Sequence, residues 1–285
     1  MPALGRRADL DVLTWPVFDE FDVDVIVTTR QGGVSSGPYA SLNLGLHVGD
    51  EPADVLENRR RVAAALGANL GDFVFCNQAH GREARLITAA DRGRGARALA
   101  DAIAATDALV TRDAGVVLTV LVGDCVPIVL YDPVAHVLAC VHAGWRGTVA
   151  RVSEAAVAAM RSLGSKPANV IAGLGPAMSP DRYQVGQDVY QAAREGLGEH
   201  VGQVIRPDGT GKWLFDLWAA NRLVLREAGV PEASMHVAAI PTGSDPGLFF
   251  SDREARPCGR FAAIARLRPR DPRDPRDPRD SRGGQ

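Results

Sequence analysis

The chain has 285 residues, 46% of them hydrophobic and 23% charged, enough apolar material for one large domain or two small ones. Its formal net charge is −2, and the seven Arg and four Asp between Arg266 and Gln285 leave the preceding body more acidic still. That balance argues against an electrostatic nucleic-acid binder, and no apolar run approaches the roughly 18 residues of a membrane span.

Asp24 to Arg30 reads as a buried strand that runs into a Gly32-Gly33-Val34-Ser35-Ser36-Gly37-Pro38 loop. Glu51-Pro52 opens a helix, because proline in the first turn gives up an N–H that has no intrahelical partner anyway. Val55, Leu56, Val62 and Leu66 keep helical spacing, and Gly67 stops the helix. Phe73 to Asn77 is a short strand delivering Gln78 and His80 at its end. Gly115 to Val122 and Val126 to Tyr131 are β-branched runs broken at Gly123-Asp124-Cys125, where the glycine predicts a bulge or close backbone approach that aims Cys125 into a cleft.

Val137 to Val141 follows an Asp-Pro turn and sets His142 at a strand end. Val149, Val152, Ala156, Met160 and Leu163 mark one amphipathic helix closed by Gly164. The second half alternates again, with a strand near Val170, helices from Gln187 and from Leu217 to Ala228, and strands near Val237 and Phe261. Strands and helices mixed without a strict βαβ period predict an α/β or α+β layered fold. The Arg-Asp-Pro triplets lack core-forming residues and are predicted to be disordered. The expected organisation is one domain over residues 1–267 and a tail over 268–285.

Cys76, Cys125, Cys140 and Cys258 show neither CxxC spacing nor a disulfide-like framework, and the first residues contain no apolar signal region. A cytoplasmic protein with reduced thiols is expected, which keeps Cys125 available as a ligand. Cys125, His80 in Gln78-Ala79-His80-Gly81 and His142 in His142-Ala143-Gly144-Trp145-Arg146-Gly147 then make a set of two imidazoles and one thiolate. Such a set suits Zn²⁺ or copper and leaves one coordination position open. Taken singly each residue has an ordinary reading: Cys125 as a small buried hydrophobe, His80 as a surface turn residue, His142 as a satisfied core histidine. A Cys125–His142 nucleophile pair also stays open.

Other signatures fail. Gly173-Leu174-Gly175-Pro176 lacks the third glycine of a dinucleotide fingerprint, and Lys212 is followed by Trp rather than the Ser or Thr of a phosphate loop. The nucleobase-deaminase pattern is missing, since Glu83 lies three residues after His80 and no CxxC exists. His47 is either an outer ligand support or exposed, while His136, His200 and His236 sit in a turn, a helix end and a strand start. Arg30, Arg59 and Arg146 are candidate anion holders. Asn43 is a candidate to orient a sugar hydroxyl, against the commoner role of bonding its own turn.

Seven segments in order resemble the YfiH-like laccase-domain family: Thr28-Thr29-Arg30-Gln31-Gly32-Gly33-Val34-Ser35, Ser41-Leu42-Asn43-Leu44-Gly45, Glu57-Asn58-Arg59, the His80 turn, Asp107-Ala108-Leu109-Val110-Thr111, the Cys125 segment and His142-Ala143-Gly144-Trp145-Arg146-Gly147-Thr148. Its members are variously known as polyphenol oxidase, peptidoglycan editing factor PgeF and purine nucleoside phosphorylase. The resemblance implies a single four-layer α-β-β-α sandwich domain and a zinc site formed by His80, Cys125 and His142, with Cu²⁺ as the other candidate. It implies purine nucleoside and phosphate as ligands: phosphorolysis of adenosine, inosine, guanosine and methylthioadenosine, and deamination of adenosine. Arg59, then Arg146, are the expected phosphate holders, and Asn43 the ribose or base contact. No protein partner is implied. The rivals are a copper-dependent polyphenol oxidase, for which Met178 is a candidate axial ligand, and a non-catalytic peptidoglycan editing factor. Pro241-Thr242 and Ser251-Asp252-Arg253 depart from the family's frequent Cys-Thr and Ser-Tyr-Arg, which bears on substrate preference more than on metal.

Overall fold

The computed structural model describes residues 2–269. The low-complexity triplets, and with them nearly all of the expected 268–285 tail, lie outside the described residues. One six-stranded sheet runs in the order β1 (Ala3–Arg7), β2 (Leu10–Thr14), β3 (Val23–Thr28), β15 (Phe261–Leu267), β7 (Val117–Val122) and β4 (Phe73–Phe75). A second runs β14 (Met235–Val237), β10 (Ile171–Leu174), β8 (Val126–Asp132), β9 (Val137–Ala143), β6 (Ala108–Thr111) and β5 (Ala84–Leu86). A small third sheet joins β11 (Gln184–Val185), β13 (Trp213–Phe215) and β12 (Ile205–Pro207). The helices are α1 (Pro52–Ala65), α2 (Trp145–Val149), α3 (Val152–Ser162), α4 (Gln187–Leu197) and α5 (Leu217–Glu227).

Three apolar cores separate four layers. Val62 and Ala63 of α1 pack with Ile26, Val117, Leu121 and Ile264 on the outer face of the first sheet. Between the sheets, Val25, Val27, Leu118, Val120 and Ala263 meet Val129, Tyr131, Leu138 and Cys140. Beyond the second sheet, Ile128, Leu130, Ala139 and Val141 meet α3, α4 and α5. Side chains alternate between the two faces of a strand, so β7, β8, β9 and β15 each feed two cores. That is why these strands read as unbroken apolar runs instead of alternating ones.

Local reading and structure differ at two places that matter for the site. Gly123-Asp124-Cys125 is not a bulge within one β run. It is the passage from the first sheet to the second, since β7 pairs with β15 and β4 while β8 pairs with β9 and β10. The predicted single helix from Val149 to Leu163 is two, α2 and α3, parted at Arg151, which takes left-handed φ of 66°. Arg151 is held there by Glu154 and Glu227. Buried hydrogen bonds from Ser153 to Asn221 and from Asn221 to Thr148 then lock α2, α3 and α5 together.

Candidate metal centre

His142 shares its parity along β9 with Leu138 and Cys140, so it faces the gap between the sheets, and it is 2% exposed. Cys125 precedes β8 on the same inter-sheet side, packed against that core. Because β8 and β9 are antiparallel with Pro127 opposite His142, Cys125 comes level with Gly144. His80 arrives from the turn after β4, in left-handed conformation at φ 58°. One ligand atom from each of His80, Cys125 and His142 lies within 4.8 Å of the others. The two imidazoles meet edge to face, centroids 4.7 Å apart at 84°.

Two glycines make this approach possible. A Cβ on Gly144 would stand 2.8 Å from Cys125 Sγ and 3.1 Å from His80 Cδ2, and one on Gly147 would stand 2.9 Å from the Gly81 carbonyl oxygen. The small residues of the His142-Ala143-Gly144-Trp145-Arg146-Gly147 motif therefore admit the other two ligand segments. The sequence suggested room for a bound molecule instead.

Asp107, fully buried, directly precedes β6. Its Oδ1 accepts from His142 Nδ1 at 2.8 Å and from the His80 backbone N–H at 3.0 Å. Its Oδ2 accepts from Gly81 N–H at 2.7 Å and Ala79 N–H at 3.2 Å. One carboxylate thus folds the His80 turn and holds the His142 ring with Nε2 turned away from it. Burial raises the Asp107 pKa, but the His142 imidazole and the Gly81 and His80 amides outweigh that and hold it below the usual carboxylate range. A signal was available: a lone acid directly preceding an apolar strand.

Burial pushes the Cys125 thiol up, yet the His142 charge and hydrogen bonds from both imidazoles bring it down to about 6. Burial pulls His142 down, and the Cys125 and Asp107 charges raise it to about 9. Each of the two groups thus favours the charged form of the other. By donor chemistry and by the glycine cradle, the three residues fit a Zn²⁺ or copper ion.

The centre opens on a cavity of about 820 Å³ that Arg146, Tyr183, Asp252, Arg253, Arg256 and Arg260 also line. Tyr183 stacks on Phe215 at 21° between planes, and the Arg253 guanidinium lies 5.2 Å from the Tyr183 centroid. His47 faces the same cavity, whereas Met178 is buried and does not line it. Asp124 accepts from Thr242 Oγ1 at 2.5 Å, Ser251 Oγ at 2.8 Å and the Arg253 N–H at 2.8 Å. Burial outweighs those bonds and raises its pKa. Asp124 therefore ties the 241–253 segment, where the chain departs from the family's frequent residues, to the residue next to Cys125. Nothing in the sequence pairs these two regions.

Two expected ligand contacts are corrected. Arg59 is 1% exposed, with its guanidinium 3.8 Å over Phe75. It donates to the carbonyls of Leu44 at 2.7 and 2.9 Å, Gly95 at 2.7 Å and Ala96 at 2.9 Å. Those donors hold the cavity wall together and are not available to a phosphate. Asn43 is fully buried and does not line the cavity. It donates to Asp50 at 2.8 Å and accepts from the Gly45 and Arg260 N–H groups at 2.9 and 2.8 Å, the turn-bonding role. Arg30 likewise spends its guanidinium on the carbonyls of Ala40 and Pro246.

Among the described residues no helix is long and apolar enough to cross a membrane. Residues 24–268 match the family model described as multi-copper polyphenol oxidoreductase laccase. The chain is 40% identical over 240 residues to purine nucleoside phosphorylase YlmD of Geobacillus stearothermophilus, covering 84% of this chain and 88% of that one. It is 37% identical over 231 residues to adenosine deaminase RL5 of an unknown prokaryotic organism, covering 81% and 88%. The crystal structure of YlmD from Geobacillus stearothermophilus superposes with a TM-score of 0.90 at 36% identity, covering 94% of this chain and 100% of that chain.

Proposed function

This chain belongs to the family described as multi-copper polyphenol oxidoreductase laccase, and from that membership and the site geometry we propose that it is a zinc-dependent purine nucleoside enzyme. Its reactions are phosphorolysis of adenosine, inosine, guanosine and methylthioadenosine, and deamination of adenosine. The convergence of His80, Cys125 and His142 within 4.8 Å carries the reading. Relatives named purine nucleoside phosphorylase and adenosine deaminase support the substrate class.

The three residues are the ligands, with His142 offering Nε2 because Nδ1 is engaged by Asp107. A zinc ion held there would supply Lewis acidity and would lower the pKa of water toward about 7. Deamination adds water at C6 of adenosine and expels ammonia, leaving inosine. Phosphorolysis forms a bond from a phosphate oxygen to C1′ while the C1′–N9 bond breaks, and its electron pair leaves with the purine. The products are the free base and the corresponding sugar 1-phosphate, ribose 1-phosphate from adenosine, inosine or guanosine. Here the protein's task is to orient phosphate against C1′ and offset charge on the leaving base. The cavity of about 820 Å³ has room for both reactants, Tyr183 lines it as an aromatic neighbour for the base, and the lining arginines offer the countercharge.

A copper polyphenol oxidase is the second reading, favoured by the family's description. A multi-copper oxidase needs separate copper centres rich in paired histidines, and this chain has six histidines with no His-x-His. A non-catalytic peptidoglycan editing factor is the third. Purified protein given adenosine and phosphate, with and without a chelator, separates them by chromatography. Metal-dependent inosine or ribose 1-phosphate, lost in His80→Ala, is the expected outcome. Oxygen uptake with a phenol would support the second reading instead. Neither activity in folded, metal-loaded protein would support the third.

A further inference from the structure

The cavity beside the metal ligands is poor in groups that can take up a proton and give it back. Of its two lining carboxylates, Asp252 binds Arg260 through Oδ1 at 2.9 Å and Arg256 through Oδ2. Asp124 turns its oxygens to two hydroxyls and a backbone amide. Burial pushes the Tyr183 phenol and the Cys76 thiol up, so both keep their protons near neutrality. The lining arginines keep theirs as well. His80, Cys125 and His142 are committed as metal ligands. His47 remains: it lines the same cavity, and its ring makes no hydrogen bond or ion pair among the described residues.

The loop that carries His47 is held more firmly than a surface turn requires. The Leu44 carbonyl accepts from Arg59 at 2.7 and 2.9 Å, and the Leu44 N–H donates to the Arg260 carbonyl at 3.0 Å. Asn43 donates to Asp50 across the turn at 2.8 Å, and the Tyr39 hydroxyl donates to the Val48 carbonyl at 2.8 Å. The Arg260 side chain also joins this loop to the one that carries Cys125. A Cβ on Gly45 would stand 3.1 Å from Arg260 Cγ, and one on Gly123 would stand 3.2 Å from Arg260 Cδ. The stretches leading to His47 and to Cys125 therefore flank one side chain at the cavity wall.

We infer that His47 is the catalytic proton carrier for deamination, set by its anchored loop to take protons from the attacking water and pass them to the purine and the departing amine. The inference rests on the deamination reading. The oxygen of water forms a bond to C6, and one of its protons passes through His47 to N1. The C6–N bond then breaks with its electron pair on the amino nitrogen. The proton of the new hydroxyl passes through His47 to that nitrogen, which leaves as ammonia, and inosine keeps the oxygen at C6 and the proton at N1. Nucleobase deaminases use a glutamate for this work, and no glutamate lines this cavity among the described residues. Enclosure by the cavity walls, then the charges of Arg260, Arg59, His142 and His80, hold His47 below the usual imidazole range, which leaves its ring neutral and able to accept.

The test uses full-length, zinc-loaded protein with adenosine, following inosine by chromatography. His47→Ala should lower kcat by roughly 10²–10⁴-fold, the usual contribution of a positioned acid–base group, with KM for adenosine, zinc content and circular dichroism little changed. His47→Gln, which fills the space but cannot carry a proton, should be as slow. Added imidazole should restore part of the rate to His47→Ala and none to His47→Gln. Deamination by His47→Ala within about tenfold of wild type, wild-type rates in His47→Gln, or a loss in His47→Ala that imidazole leaves untouched would each overturn the role of His47 while keeping the reaction. No inosine from the wild-type protein would instead remove the deamination reading, and with it any proton for His47 to carry.

Discussion

Replacing Asp107 by asparagine keeps the shape of the side chain and removes its charge and one of its two acceptors. The four donors that converge on it are split between its oxygens: His142 Nδ1 and the His80 amide on Oδ1, the Ala79 and Gly81 amides on Oδ2. An asparagine oxygen can occupy only one of those positions. If it takes the Oδ1 position, its NH₂ confronts two backbone N–H groups and the His80 turn must open. If it takes the Oδ2 position, its NH₂ donates to His142 Nδ1, which moves the imidazole proton to Nε2 and blocks the ligand atom. Either way one ligand is lost from readiness. Outer partners of this kind contribute about 10–100-fold to metal affinity, which corresponds to roughly 1.4–2.7 kcal/mol. The metal-free fold should lose a further ~1–3 kcal/mol through the buried donor left unpaired. The measurement is zinc competition against a chromophoric chelator, alongside urea denaturation of the metal-free protein and the visible spectrum of the cobalt form. A variant that loses stability yet binds zinc like wild type would refute the reasoning, because Asp107 would then be a structural residue only.

Gly144→Ala should fold normally, since Gly144 has φ −73° and ψ 174°, open to any residue, but its methyl would meet Cys125 Sγ at 2.8 Å. Zinc affinity should fall with little change in metal-free stability, and chelator competition showing full affinity would count against the ligand geometry. Arg59→Met removes four hydrogen bonds from buried carbonyls and should cost ~3–5 kcal/mol in urea denaturation while leaving zinc stoichiometry intact. A loss below about 1 kcal/mol would mean those carbonyls find other partners. In metal-free protein at about pH 7.5, Cys125 should be alkylated first, as a thiolate. Its labelling should slow as pH falls through about 6 and vanish on saturation with zinc. Cys76 and Cys140, whose thiols burial pushes up, should stay unlabelled in the native state, and mass spectrometry showing them as reactive as Cys125 would contradict this.

The sequence by itself determined the layered α/β character, because strands buried on both faces must be apolar throughout and α1 needed only its proline start, its spacing and its glycine stop. It also singled out His80, Cys125 and His142, whose residue types are uncommon enough to stand out locally. What each surrounding residue does was decided only by tertiary structure. Arg59 stood out as a candidate anion holder, but three carbonyls from two distant loops close over it. The role of Asp107 appears only when the β6–β9 pairing brings His142 to its Oδ1. Gly123-Asp124-Cys125 read as a defect in one sheet because a local pattern cannot tell a bulge from a crossing between two. Secondary structure follows from neighbours along the chain, whereas a hydrogen bond or a metal ligand is assigned by whichever groups meet in space, and that pairing has no local imprint.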